Sequence, residues 1–204
     1  MYQAQLFVGG KASFVHLDNN LSQFLVFLPD SGSIMDTQLH NHGGIEKGLR
    51  ILPFLQINDF NQGRFLTRSI KNNQTCPFEL CTKPKHGLNY YSPERFLGNW
   101  GDDCALQTDA VDTFSLGGIF YYLLSNGSDP RFTKERYRMA IREKNVHFLP
   151  DNYATLEELV RPDPASIALM EVMIKCMALK MEDRHTVLDI VQILEEKVKM
   201  FCSF

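Results

Sequence analysis

The hydrophobic pattern divides the chain into a first part with short apolar runs and a second part with helical periodicity. In residues 110–124, apolar side chains occur nearly all round a helix, which is typical of a buried helix. Ser125, Asn126 and Gly127 then predict its end, and Pro130 strengthens that expectation. We therefore predict a buried central helix at about 110–125, around which other helices pack.

Asp112 and the pair Gly117–Gly118 are unusual in so apolar a helix. A carboxylate near the helix start either caps the N-terminus or accepts backbone N–H groups inside the protein. Each glycine costs about 1 kcal/mol relative to alanine. We expect the compensation to be the close approach of another backbone.

Three further helices are predicted downstream of the central helix. A charged, exposed helix is expected over 133–144, and a second begins at Asp163 or Pro164 and continues through Leu179. Thr186 is expected to cap the last helix. The apolar face of the second helix is predicted to consist of Ile167, Met170, Met173, Ile174 and Met177.

Upstream of the central helix the pattern predicts strands and loops. The apolar runs at 24–28 and 49–57 predict two short strands. Residues 29–50 are rich in Gly, Ser, Asn, His and Asp, and residues 61–89 show little periodicity, so both are predicted to be long loops. The predicted fold class is therefore mainly α with a small β element: two short strands, then helices only.

Composition narrows the class of protein further. The length of 204 residues suits one domain. The net charge of −3 gives no indication of binding to nucleic acid or to anionic membranes. No apolar run is long enough to span a bilayer, and the N-terminus is not a signal peptide. Five cysteines without regular spacing suit a reducing compartment, so we expect a cytoplasmic protein. Cys76, Cys81 and His86 could ligate zinc, but no fourth ligand is evident.

Several short polar motifs occur in a particular order, although each is weak by itself. His16-Leu17-Asp18 precedes the first predicted strand, Asp59-Phe60-Asn61 ends the second, and Ser92-Pro93-Glu94 precedes the central helix. Asp112 lies near the start of that helix, and Asp183-Arg184 precedes the last helix. In this order, the set resembles the C-terminal lobe of a protein kinase.

The resemblance implies a chemical role for three residues. Residues 16–23 resemble the catalytic loop H-R-D-x-x-x-x-N, so Asp18 would accept the proton of a substrate hydroxyl. Residues 59–61 resemble the metal-binding D-F-G, so Asp59 would hold Mg²⁺ at the phosphates of ATP and Gln23 would hold a second Mg²⁺. The implied cofactors are ATP and Mg²⁺, and the implied partner is a protein substrate or another protein.

The resemblance also implies structural roles. Ser92-Pro93-Glu94 resembles A-P-E, and the family pairs this Glu with a late Arg, so Glu94 and Arg184 would meet across the lobe. Asp112 would belong to the central helix on which the lobe is built. A single lobe over 1–204 is implied, with 29–50 as a loop insertion and 61–92 as a segment like the activation loop.

Departures from the family pattern leave two functions open. Gln23 stands where the family has Asn, Leu17 replaces the usual Arg, and Asn20 replaces the usual Lys. We also expect a fragment or a reduced kinase, because no Gly-rich phosphate loop or V-A-I-K strand precedes residue 16. The first function is a Ser/Thr protein kinase in an intact parent, with the isolated chain inactive. The alternative is a pseudokinase-like module that binds other proteins without catalysis.

Overall fold

Helices dominate the part of the chain that the structure describes. The computed structural model describes residues 7–8, 11–12, 14–15, 24–27, 54–57, 63–67, 69, 71, 76–80, 90–95, 105–160 and 163–202. The predicted class, mainly α with a small β element, is confirmed at that level. Among the helices within these ranges, none has the length and apolar character needed to cross a bilayer.

Short strands account for the β element. In the described residues they are β1 (Phe7–Val8), β2 (Lys11–Ala12), β3 (Phe14–Val15), β4 (Phe24–Phe27), β5 (Phe54–Ile57), β6 (Arg64–Phe65), β7 (Phe78–Leu80) and β8 (Ala105–Gln107). They form antiparallel pairs, β1 with β2, β3 with β6, β4 with β5, and β7 with β8. The two strands expected from the sequence, β4 and β5, therefore pair with each other.

Five helices follow along the chain from residue 110 onward within the described ranges. They are α1 (Ala110–Leu124), α2 (Lys134–Glu143), α3 (Tyr153–Leu159), α4 (Pro164–Cys176) and α5 (Val187–Cys202), with a 3₁₀ turn at Met181–Asp183. The predicted end of the central helix is confirmed, because Asn126 and Gly127 both have positive φ, at 57° and 96°. The predicted start of α4 is also confirmed, since the Asp163 side chain accepts hydrogen bonds from the N–H groups of Ala165 and Ser166.

The core lies where α1 packs against α3 and α4. Phe114 and Tyr121 of α1 are buried together with residues of the other helices and of the α2–α3 connection. Gly117 explains how closely α1 and α4 approach, because a Cβ atom there would lie 2.9 Å from Cys176 Cβ and 3.3 Å from the Met173 carbonyl oxygen. The expected close approach of another backbone is confirmed at this glycine.

Several details of the secondary structure differ from the prediction. The chain is not helical throughout after the second strand, because β8 lies just before α1, and β6 and β7 lie within 61–92. Helix α3 was not predicted at all. Strands of two or three residues are too short for an alternating pattern to be detected, and α3 spans only two turns.

Helix α4 also ends earlier than predicted, at Cys176 rather than Leu179. The chain leaves the helix to bridge the segment after α2: the N–H of Phe148 donates to the Met177 carbonyl at 2.8 Å, and the N–H of Leu179 donates to the Val146 carbonyl at 2.9 Å. Ile167, which we placed on the apolar face of α4, is 51% exposed and does not belong to the core.

Candidate functional site

The residues predicted to carry chemistry lie outside the described residues. These are Asp18, Gln23 and Asp59, and the predicted insertion at 29–50 lies outside as well. The structure does describe the residues to which the resemblance gives structural roles. We refer to Glu94, Arg184 and the groups that surround their side chains as the Arg184 cluster.

Glu94 and Arg184 form a two-point ion pair in the interior. Arg184 Nη1 lies 2.5 Å from Glu94 Oε1, and Arg184 Nη2 lies 2.7 Å from Glu94 Oε2. The two side chains are 0% and 9% exposed. This parallel geometry is the strong form of the Arg–carboxylate interaction. The pairing implied by the resemblance is therefore present, between residues 90 positions apart in the chain.

Every N–H group of the Arg184 guanidinium has an acceptor. Besides the two bonds to Glu94, Nε donates to the Ala178 carbonyl at 2.8 Å, Nη1 to the Ala110 carbonyl at 3.1 Å, and Nη2 to the Leu179 carbonyl at 3.4 Å. The Phe114 ring lies 5.0 Å from the guanidinium carbon, which adds a cation–π contact. A buried charge is tolerated only when its donors are satisfied in this way.

Asp112 lies in the first turn of α1 and is 2% exposed. It is not the residue that caps the helix, because the N-cap position is Asp109. Of the two alternatives left open by the sequence, the buried position is therefore the one observed. A carboxylate in the first helical turn is favoured by the helix dipole.

Residues 90–95, which include the Ser-Pro-Glu motif, are held along α1 by contacts at both ends of the segment. At one end, the Tyr90 hydroxyl donates to Asp129 Oδ1 at 2.6 Å, just beyond the C-terminus of α1. At the other end, Glu94 reaches the first turn of α1 through Arg184. Burial raises the pKa of Tyr90, and the hydrogen bond to Asp129 raises it further, so the hydroxyl stays protonated and keeps donating.

Gly118 makes room for this segment. A Cβ atom at Gly118 would lie 2.8 Å from Cδ1 of the Tyr90 ring. Sequence reasoning missed the contact between Tyr90 and Asp129. The available signal was the second glycine of α1, since a glycine inside a buried helix indicates a close neighbour, although it cannot say which residue that neighbour is.

The middle of the segment is buried as well. Ser92 is 1% exposed, and its hydroxyl has no hydrogen-bond partner among the described residues. The Arg95 guanidinium carbon lies 3.8 Å from the centre of the Tyr91 ring. All of residues 90–95 are buried. This segment therefore has a structural role in packing against α1 and is not an exposed binding surface.

A shallow groove of about 510 Å³ borders the cluster at the start of α5. Its lining includes the carboxylates of Asp183, Asp189 and Glu196. One of these already has a structural task, since Asp189 accepts hydrogen bonds from the N–H and the hydroxyl of Thr186 at 2.8 and 2.7 Å. These bonds, with Thr186 Oγ1 accepting from the Asp189 N–H, complete the predicted cap of the last helix.

The residue types bear on the predicted metal sites. Among the described residues no three His, Cys, Asp or Glu side chains are grouped to hold a metal ion, and of the candidate zinc ligands Cys81 and His86 lie outside them. The donor set expected for Mg²⁺, the Asp59 carboxylate and the Gln23 amide oxygen, consists of the hard oxygen ligands that this ion accepts. The residues therefore fit Mg²⁺ in kind.

Comparisons with known families and with curated proteins find no match to this chain. The functional interpretation therefore depends on the ordered motifs and on the contacts that join them.

Proposed function

We propose that this chain is the C-terminal lobe of a protein kinase-like phosphotransferase that moves phosphate from ATP to Ser or Thr hydroxyls of a protein. The supporting observation is the buried pair of Glu94 and Arg184. The resemblance to the family predicted this pairing, whereas Arg184 taken by itself would be interpreted as a solvated loop charge. The contact supports the proposal because an accidental resemblance gives no reason for the two motifs to meet.

In this proposal three residues carry the reaction. Asp18 orients the substrate hydroxyl and accepts its proton, while Asp59 and Gln23 hold the divalent ions. Bound Mg²⁺ supplies neutralisation of phosphate charge. Because phosphoryl transfer needs mainly positioning and charge stabilisation, these few polar residues suffice in kind.

A second function is favoured by specific substitutions in the catalytic loop. Leu17 and Asn20 stand where the family places cations, and Gln23 is one methylene longer than the usual Asn. The missing Lys would lie near the transferred phosphoryl group, and the missing Arg would bind phosphate on the activation segment. Their loss weakens catalysis but leaves the packed helices intact. The alternative is therefore a pseudokinase-like module that binds proteins.

Thermal shift with Mg·ATP tests the metal and nucleotide assignment. The 204 residues contain no Gly-rich phosphate loop, so we expect a Kd of about 1 mM. At an equal ATP concentration this affinity adds about 0.4 kcal/mol to stability. We expect the unfolding temperature to rise by about 1–2 °C. Asp59→Asn should reduce the rise.

Asp18→Asn is the matched control, because the proposed role of Asp18 concerns the substrate hydroxyl and not the metal. It should therefore keep the Mg·ATP shift in full. We expect no detectable transfer of labelled phosphate to a peptide library by the isolated wild-type chain. A shift of several degrees that Asp59→Asn abolishes would indicate a lobe that binds nucleotide unaided. Equal shifts in wild type and Asp59→Asn would contradict the metal assignment and favour the binding module.

A further inference from the structure

Helix α2 and its flanks carry a net positive charge, in contrast to the chain as a whole. Residues 131–144 contain six Lys or Arg and two Glu, although the whole chain has a net charge of −3. One of these cations, Arg136, lies 4.0 Å from Asp151. The outward side of the helix shows three further features, each of which is unfavourable to the isolated fold.

The first feature is a row of like charges. Lys134, Arg138 and Arg142 follow one another at intervals of four residues, which places them on one side of the helix. Like charges at this spacing destabilise a helix. Arg138 and Arg142 are exposed, and neither makes an ion pair with any residue that the structure describes. An ordinary solvated helix face would alternate the sign of its charges.

The second feature is exposed apolar surface on the helix and just after it. Ile141 is 51% exposed and Val146, just beyond the helix, is 63% exposed. The inward side of α2 is by contrast well packed: Ala140 is 2% exposed, and the Tyr137 ring meets the Phe148 ring edge-on at 5.6 Å. The outward aliphatic side chains are therefore not needed to hold the helix on the core.

The third feature is the backbone at the helix end. Lys144 ends α2 in the left-handed conformation, with φ of 55°. Glycine is the usual residue there, because a Cβ atom is disfavoured at positive φ. The chain accepts this cost at Lys144, which places a further exposed cation at the end of the helix.

We propose that Arg138, Ile141, Arg142, Lys144 and Val146, which we call the α2 face, bind an acidic segment of another protein that carries aliphatic side chains. Carboxylates would balance the row of cations, and aliphatic side chains would cover Ile141 and Val146. Glu135 and Glu143 flank the face and disfavour a continuous polyphosphate or an anionic bilayer. The proposal does not depend on phosphoryl transfer.

Fluorescence anisotropy with a short labelled Glu-rich peptide that carries two leucines tests this inference. We expect binding at low salt that weakens as NaCl is raised from about 50 to 300 mM, because the charges are exposed. The double variant Arg138→Ala/Arg142→Ala should weaken binding about five- to tenfold. A matched control with the same change of charge, Lys71→Ala/Lys199→Ala, should leave affinity within about twofold, because both lysines are exposed and lie in segments with no described hydrogen bond to residues 134–146.

Two further measurements separate binding from folding and test the aliphatic part. The unfolding temperature of Arg138→Ala/Arg142→Ala should stay unchanged or rise, since the substitution removes like-charge repulsion. Ile141→Ser should weaken binding of the leucine-containing peptide about threefold and leave binding of its serine-substituted version unchanged.

Several outcomes would overturn the proposal. One is equal affinity for the peptide and for its Gln-for-Glu version. Another is equal loss of affinity in the two double variants. Tighter binding of the α2 face to a single-stranded oligonucleotide, to anionic phospholipid vesicles or to a second copy of the chain would assign it a different occupant.

Discussion

Two Arg–carboxylate pairs in this molecule differ in almost every physical respect. Arg184 and Glu94 make two short hydrogen bonds in the interior, with side chains 0% and 9% exposed. Arg136 and Asp151 approach only to 4.0 Å, and their side chains are 41% and 33% exposed. The first pair lost its water on folding and depends on its partner, whereas the second stays hydrated with or without one. The environment of a charge thus decides whether it holds the fold together.

Arg184→Ala removes one partner of the buried pair, where we expect the largest effect on stability. The substitution leaves the Glu94 carboxylate buried and removes the donors to three backbone carbonyls. We expect the free energy of unfolding to fall by about 3–5 kcal/mol, and Glu94→Ala to have a similar effect. Urea denaturation followed by circular dichroism measures both changes.

The exposed pair supplies the control for that prediction. Arg136→Ala should change stability by about 0–1 kcal/mol, because its charge is screened and hydrated. If Arg184→Ala and Glu94→Ala both cost as little as Arg136→Ala, the described geometry of the Arg184 cluster is wrong and the kinase-like proposal loses its main support.

Gly117→Ala tests the same interior by adding a single methyl group. The new Cβ atom would lie 2.9 Å from Cys176 Cβ, so α1 and α4 must move apart. We expect a loss of about 1–3 kcal/mol, measured by urea denaturation. Leu123→Ala on the same helix should cost less, because Leu123 is 57% exposed. Equal costs would argue against the close contact between these helices.

Tyr90→Phe probes a polar contact whose two ends differ in exposure. The Tyr90 side chain is buried, but Asp129 is exposed and recovers water when the hydroxyl is removed. We therefore expect a loss of only about 1 kcal/mol in thermal or urea unfolding. The dependence of stability on pH above 9 provides a second test. Because the pKa of Tyr90 is raised in the folded chain, ionisation of this hydroxyl favours the unfolded chain. Wild type should lose more stability there than Tyr90→Phe.

The smallest expected effect concerns His147, a side chain between buried and exposed. Burial lowers its pKa from the ordinary 6.5, and the charge of Lys175 lowers it further. Between the lowered pKa and 6.5 the unfolded chain binds a proton that the folded chain does not, so stability falls as pH falls through this window. His147→Gln should reduce that fall, measured as the change in unfolding free energy between pH 7.5 and 5.5. Lys175→Gln should reduce it in part, and an unchanged slope in both variants would contradict the assignment.

The sequence predicted best those features that depend on neighbouring residues. The central helix was placed correctly because its apolar positions are continuous and its stop signal follows at once. The caps by Asp163 and Thr186 were readable because each side chain bonds to backbone within three residues. The early end of α4 could not be predicted, because it depends on backbone hydrogen bonds to residues 146–148, which are remote in sequence.

The candidate site shows the same difference between local features, which the sequence predicts, and long-range contacts, which it does not. Taken by itself, Arg184 would be interpreted as a solvated loop charge, since acidic and polar residues surround it in sequence. Only the resemblance indicated a partner 90 residues away. Tyr90 and Asp129 had no motif to connect them, so their hydrogen bond could not be predicted. Long-range polar contacts leave no periodic signal in a single sequence.

The span of the Glu94–Arg184 contact has a consequence for how the chain is made. Synthesis adds Glu94 long before Arg184, and the intervening chain includes all of α1 to α4. A nascent chain that ends before residue 184 cannot bury Glu94 with its partner, so this part of the core must wait until Arg184 has been synthesised. Until then, Glu94 stays in water, and the helices that will pack around it expose apolar surface that can aggregate.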